Sequence, residues 1–371
     1  MLTMRLASFV GLALTFTIPL AAQQVLTVGP GQTFATIGAA IAAASPGDTV
    51  LVNGGSYQET IDIDKPLQVV SRGARLRPVA LFGPSIRIHD LGPNQPVVLR
   101  GFTLESSTGA LMPITVDQCE GPVTLHDLGN QGGAERWSLG VNLSPQVHVA
   151  RVLLFAMRAT DSVVALENCV VEPTVGSPGI WSFGSSAISC SLCTIQGSPI
   201  WPFAAVRIED GGSLLVTRTS LSGGGSGPSG QPAISAPNGG AVLVDPSASL
   251  NTAGTGPAVV GTVPITLPLA SLRVTSNGTV ANANAHGPAN EVFVTVFSAV
   301  APAVATPLGL TWLDLGTFTP LYAGIYDPIS RQHTATIPHG TSPAGQTLAL
   351  QTIGLGSGGL TLGLPTVLSM P

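Results

Sequence analysis

A histidine beside a carboxylate is a general-base arrangement. His89, Asp117 and Ser144 become near neighbours if the short strands that carry them stack at about 4.8 Å per rung. The strands are anchored on the apolar residues Ile88, Val116, Leu143 and Ile208, and strand alternation turns the flanking positions outward. Arg87, Thr115, Asn142 and Arg207 then form one outward column, and His89, Asp117, Ser144 and Glu209 the next. A short coil between them adds Arg158 and Asp161, and Trp181 opens the coil after that. The same residues also read as the solvated polar face of a sheet. An exposed aromatic ladder of Trp181 with Trp137 or Trp201 would favour sugar binding by ring stacking. The candidate ligand-binding residues are therefore His89, Asp117, Arg158, Trp181, Arg207 and Glu209. No catalytic residue, metal ligand or cofactor is assigned, because no G-x-S-x-G, H-E-x-x-H or phosphate-loop pattern occurs.

Something must hold those strands in register, and an internal repeat supplies it. Seven segments share one pattern of an apolar anchor followed by a second apolar residue three places on. They run from VVLRGFTL (97–104) to VLVDPSAS (242–249). The anchors Leu99, Leu125, Val149, Leu166, Cys190, Val216 and Val244 recur at roughly two-dozen-residue intervals. Their partners are Phe102, Leu128, Val152, Cys169, Cys193, Thr219 and Ser247, so the last coil decays. No single repeat can bury its own apolar face, and stacking them buries one continuous core. A third short strand precedes most anchors, as in SIRIHD (85–90) and PITVDQ (113–118). Three strands per coil define a parallel β-helix. A short helix is expected over TFATIGAAIAAASPGDTVLV (33–52), where Ile37, Ala40, Ile41 and Ala44 share a face. Thr33 or Thr36 caps its start and Pro46-Gly47 ends it. Such a helix would cover the open end of the sheets.

Composition agrees. Only 9% of the 371 residues are charged and 5% aromatic, while Gly numbers 45 and Pro 31. That suits many short strands and tight turns. The formal net charge is −5 and Lys65 is the only lysine, so there is no cationic cluster for nucleic acid. Residues 1–23 read as a secretory signal peptide, with Arg5 before the apolar run 6–20 and Ala21-Ala22 near the cleavage point. The run is shorter than the ~20 residues of a spanning helix. Four cysteines (Cys119, Cys169, Cys190, Cys193) lack zinc-site spacing. Cys169 and Cys193 share one register position, as a ladder of buried thiols or as a disulfide. Cys119 is left unpaired or solvent-facing near a bend.

The stretch TIGAAIAAASPGDTVLVNGGSYQETIDIDKPLQVVSRG (36–73) resembles the opening of pectin-lyase-like right-handed parallel β-helix proteins. Those combine a TI-x-x-AI helix, a PGDT turn, a G-x-Y-x-E strand and an I-x-K-P-L-x-V strand. The resemblance implies the β-helix fold over 24–255, with ligand along the outer face of the first parallel sheet. Activity is implied only weakly. Calcium-dependent lyases need converging carboxylates, but Asp117 and Glu209 lie four coils apart. Hydrolases of this kind need paired aspartates, and the esterase G-x-x-D-F-I-F-G segment is missing.

After a connector at 251–268, alternating segments predict a small C-terminal β-sandwich over 256–371. Ile337, Pro338, Gly340 and Leu348-Ala349-Leu350-Gln351 resemble the C-terminal modules of bacterial secreted proteins. The overall expectation is an all-β, exported, monomeric protein. It is a non-catalytic glycan-binding or surface element, or alternatively a divergent polysaccharide lyase, glycoside hydrolase or esterase acting on the first parallel sheet.

Overall fold

The computed structural model describes residues 23–369, apart from 78, 80–82, 106–112, 132–137, 175, 226–229, 268, 277–279, 307–308, 314–315, 317, 339–346, 357–358 and 364. The expected signal segment, except its last residue, lies outside the described residues, as do Trp137 and Gly340. Among the described residues no helix is long and apolar enough to cross a membrane.

The chain winds as a right-handed parallel β-helix. Each coil contributes one strand to a nine-stranded sheet and the next to an eleven-stranded sheet. Its third strand joins a four-stranded sheet in the early coils and a five-stranded sheet in the later ones. All pairings within these sheets are parallel and in register, and the seven anchors do fall in one column. Leu99 pairs Leu125, which pairs Val149, and the ladder continues through Leu166, Cys190, Val216 and Val244. Every member is buried. The second column is buried from Phe102 to Thr219, and Ser247 is exposed, so the core thins at the last coil. Burying a Val, Leu or Ile side chain contributes roughly 1.5–3 kcal/mol, and one such layer per rung holds the solenoid together. The ladders run on through the stretch read as a connector, with Val259–Val260 and Ile265–Thr266 adding the last strands.

Two corners per coil need a left-handed residue. Asp90, Gln118, Leu143, Asp161 and Asp210 turn the chain out of the nine-stranded sheet at φ 45–56°. Asp127, Arg151, Asn168, Leu192 and Arg218 turn it out of the eleven-stranded sheet. Asp and Asn tolerate this conformation better than most residues. Gly101 occupies the second corner at φ 81°, where a Cβ would lie 2.5 Å from the Ser71 carbonyl oxygen. Behind the first corner a buried ladder satisfies the backbone. The Ser144 hydroxyl accepts from the Cys119 amide, that of Ser162 from Ser144, and that of Ser186 from Ser162.

The motif at 36–73 builds the N-terminal end. Helix Ile37–Ala43 buries Ile37, Ala40 and Ile41. Its N-cap is Thr36, and the Glu59 carboxylate accepts from the Ile37 and Gly38 amides at 2.8 Å each. Lys65 donates to the Ala44 carbonyl at the other end, at 2.9 Å. Charges of these signs complement the helix dipole.

All four cysteines are free and buried. Cys119 is fully buried rather than solvent-facing, because it sits just behind the corner residue Gln118 at the head of the serine ladder. Burial pushes its thiol up to about 11. The Sγ of Cys169 and of Cys193 each donate to a backbone carbonyl two residues back.

The C-terminal region is antiparallel. Strands Ser271–Ser276, Val280–His286 and Gln332–Pro338 form one sheet, and Val292–Thr306 with Thr347–Gly356 centres a second. The two share a core of Leu272, Val274, Ala283, Ala285, Phe293, Tyr326 and Leu350. This region packs on the outer face of the eleven-stranded sheet, where Ala165 meets Val296, Leu313, Ala349 and Val367.

Candidate functional site

With one broad sheet covered, the outer face of the nine-stranded sheet is where the candidate residues lie. Asp62, Arg87, Thr115, Gly140, Arg158, Trp181 and Arg207 follow one another rung by rung in one column. His89, Asp117, Asn142, Thr160 and Phe183 form the neighbouring column. Glu209 lies on the last of these rungs, two residues beyond Arg207.

One coil corrects the sequence reading. Val141, not Leu143, pairs with Val116 inside the helix. Leu143 is the left-handed corner residue and 48% exposed, because the corner ends the alternation that would have carried it inward. Asn142 therefore moves to the column of His89 and Asp117, and Gly140 takes its place. Ser144 drops into the buried corner ladder, so it is not a neighbour of His89 on the face.

The face has two halves. In the early coils, His89 Nε2 lies 2.9 Å from Asp62 Oδ1, and Nδ1 lies 2.8 Å from Asp90 Oδ2. Both ring nitrogens are held by carboxylates, which leaves neither aimed at a substrate proton. On the next rung Asn142 Nδ2 donates to Asp117 Oδ1 at 2.6 Å. Alongside, Asp90, Leu91, Gly92, Gln118, Glu120 and Leu143 line a hollow of about 480 Å³.

In the later coils the chemistry is aromatic and cationic. The rings of Trp181 and Phe183 are 4.7 Å apart between centroids, tilted by 32°. The Arg158 guanidinium sits 4.7 Å over the Phe183 ring and that of Arg207 5.5 Å over Trp181. Arg207 Nε also donates to Glu209 Oε1 at 2.5 Å, and Asn238 donates to the other Glu209 oxygen at 3.2 Å. Trp201 is 61% exposed in the loop entering the Arg207 strand. It lies against Gly176, in the loop entering the Trp181 strand, where a Cβ would come within 2.8 Å of its ring.

All six candidates thus share one face, but in two groups: His89 with Asp117, and Arg158 with Trp181, Arg207 and Glu209. The reading from sequence missed Asp62, Asp90 and Phe183. Alternation in Ile61-Asp62-Ile63 and in Trp181-Ser182-Phe183 carries the signal for two of them. Asp90 had none, being placed by a corner. Among the described residues no three His, Cys, Asp or Glu side chains converge to hold a metal ion.

No family model and no curated protein matches the chain. Among solved structures it is similar to the pectin methylesterase from Aspergillus niger. One deglycosylated form shows 12% identity over 65% of this chain and 83% of that one, at a TM-score of 0.27. Another shows 14% identity with the same coverage, at 0.26. Chitinase ChiW from Paenibacillus sp. str. FPU-7, described as a bacterial cell-surface-expressed multi-modular enzyme, is 11% identical. That match spans 93% of this chain and 24% of the chitinase, at a TM-score of 0.19.

Proposed function

We propose that this is an exported, monomeric, non-catalytic protein that binds a glycan along the outer face of the nine-stranded sheet. One observation carries the reading: the half-open Trp181–Phe183 ring pair, with the exposed Trp201 in the loop that enters the next rung. Sugar rings present C–H faces that pack on aromatic rings, and such rings tend to dominate binding energy. Arg158, Arg207, Glu209 and Asn238 supply directional hydrogen bonds around the platform. A rung spacing near 4.8 Å matches the length of one pyranose unit to within a fraction of an ångström, so a polymer along the solenoid axis meets a repeating surface. No nucleic acid and no cofactor enter this reading.

The test is co-sedimentation with insoluble polysaccharides. The chain should be retained, and Trp181→Ala should weaken retention at least about tenfold with the fold intact by circular dichroism. Retention unchanged in Trp181→Ala would refute the platform.

A second reading, a divergent polysaccharide lyase, hydrolase or esterase, is favoured by the carboxylates Asp62, Asp90 and Asp117 grouped around His89. Reducing-end or ester release that disappears in Asp117→Asn would support it over the first.

A further inference from the structure

The nine-stranded face and its corner carry Asp62, Asp64, Asp90, Asp117, Glu120, Asp161, Glu209 and Asp210 against Arg87, Arg158 and Arg207. Eight carboxylates face three guanidinium groups, a formal excess of five. The whole chain carries a formal net charge of −5 with histidine neutral. The rest of the sequence holds eleven acids and eleven bases, Lys65 and the Arg5 of the expected signal segment among the bases. Lys65, in the first of the same corners and bonded to the helix carbonyls, is the one ammonium beside them and reduces the excess to four.

Of the three arginines, Arg207 is already paired with Glu209. Asp64, Asp90, Glu120, Asp161 and Asp210 are all exposed. A surface of one sign attracts the opposite charge and repels its own over about a Debye length, ~8 Å in physiological salt. A polyuronate laid along this face would place a carboxylate on nearly every residue against an acidic wall. No three acidic or histidine groups among the described residues converge to hold a bridging cation.

Resting on the glycan reading of this face, we propose that its ligand is an amine-bearing glycan, a polymer containing unacetylated amino sugars, and that polyuronates are excluded. The carboxylates in the early coils and along the corner pair with the ammonium groups, and Trp181 and Phe183 stack against the sugar rings. Ammonium groups near the exposed indole of Trp201 gain a further cation–π contact.

Calorimetric titration of the full chain tests this with three probes: β-1,4-linked hexaglucosamine, its fully N-acetylated counterpart and hexagalacturonate. Hexaglucosamine should bind at least about tenfold more tightly than hexagalacturonate at low ionic strength, an advantage that shrinks as salt is raised. Neutralising the exposed acids that make no side-chain hydrogen bond here, with Asp64→Asn, Glu120→Gln and Asp210→Asn together, should lower hexaglucosamine affinity about fivefold. Affinity for the acetylated hexamer should stay unchanged.

Equal or tighter binding of hexagalacturonate, or no response to the triple variant, overturns the charge assignment. If in that case Trp181→Ala still abolishes binding, the glycan platform survives without it. If no probe binds, or none responds to Trp181→Ala, the platform falls as well.

Discussion

The two broad sheets of the solenoid are made by the same coils, yet their outer faces have opposite fates. On the eleven-stranded sheet Thr124, His148, Ala165 and Ser189 point outward and are nevertheless buried. The C-terminal region covers the sheet there: Thr366 donates to Glu167, and the Arg331 guanidinium reaches Asp245 at 3.0 Å. On the nine-stranded sheet the outward Asp62, Arg87, Arg158, Trp181 and Phe183 stay at least partly accessible. Outward alternation alone therefore does not mark a binding face; what distinguishes the two is the covering layer.

The largest expected effect is at the seam. The Asp245 carboxylate is fully buried and accepts from the Leu269 amide, the Ser247 hydroxyl and Arg331. Burial alone would raise its pKa, but these bonds and the nearby His286 hold it well below the usual carboxylate range. Asp245→Ala leaves Arg331 without its counter-charge and the Leu269 amide and Ser247 hydroxyl without their acceptor, and should cost about 3–5 kcal/mol, read as a fall in denaturation midpoint. An unchanged midpoint would mean that the two regions are not coupled through this residue.

A buried histidine of the eleven-stranded sheet should also make the protein acid-sensitive. Burial, with His148 and Arg151 close by, pushes the His126 imidazole down to about 3. The unfolded chain takes up this proton near pH 6.5, and the folded chain does not until about pH 3. Stability therefore falls as pH drops through that window, by an amount on the order of a few kcal/mol. His126→Gln should flatten the pH dependence between 6.5 and 3. A slope unchanged in the variant would assign the sensitivity to other groups.

A matched pair of substitutions sharpens the contrast further. Ala165→Arg forces a long charged side chain against Val296 and Val367 and should destabilise by roughly 1–3 kcal/mol or more. Arg158→Ala on the open face should shift stability by less than about 0.5 kcal/mol while weakening glycan binding. Equal losses of stability would erase the distinction between covered and open faces.

The sequence shows the solenoid clearly because its core obeys a one-dimensional rule. The Leu99-to-Val244 column is readable since each coil repeats one register, and the capping helix is readable from Ile37, Ala40, Ile41 and Ala44. Legibility fails at the corners. Leu143 is apolar and in phase with Val141, and only the left-handed turn decides that it leaves the core. Ser144 went astray for the same reason, and Asp90 entered the site through it. The cover over the eleven-stranded sheet was not readable either, because His148, Ala165 and Asp245 reveal their neighbours only once distant segments meet.

The central claim, that the open nine-stranded face is the ligand surface, is tested most directly by amide hydrogen exchange of the full chain with and without bound oligosaccharide. The account predicts slowed exchange in segments 176–184 and 198–210, which carry Trp181, Phe183, Trp201 and Arg207, with little change beyond residue 270. Protection confined to the C-terminal strands, with those two segments unaltered, would contradict it.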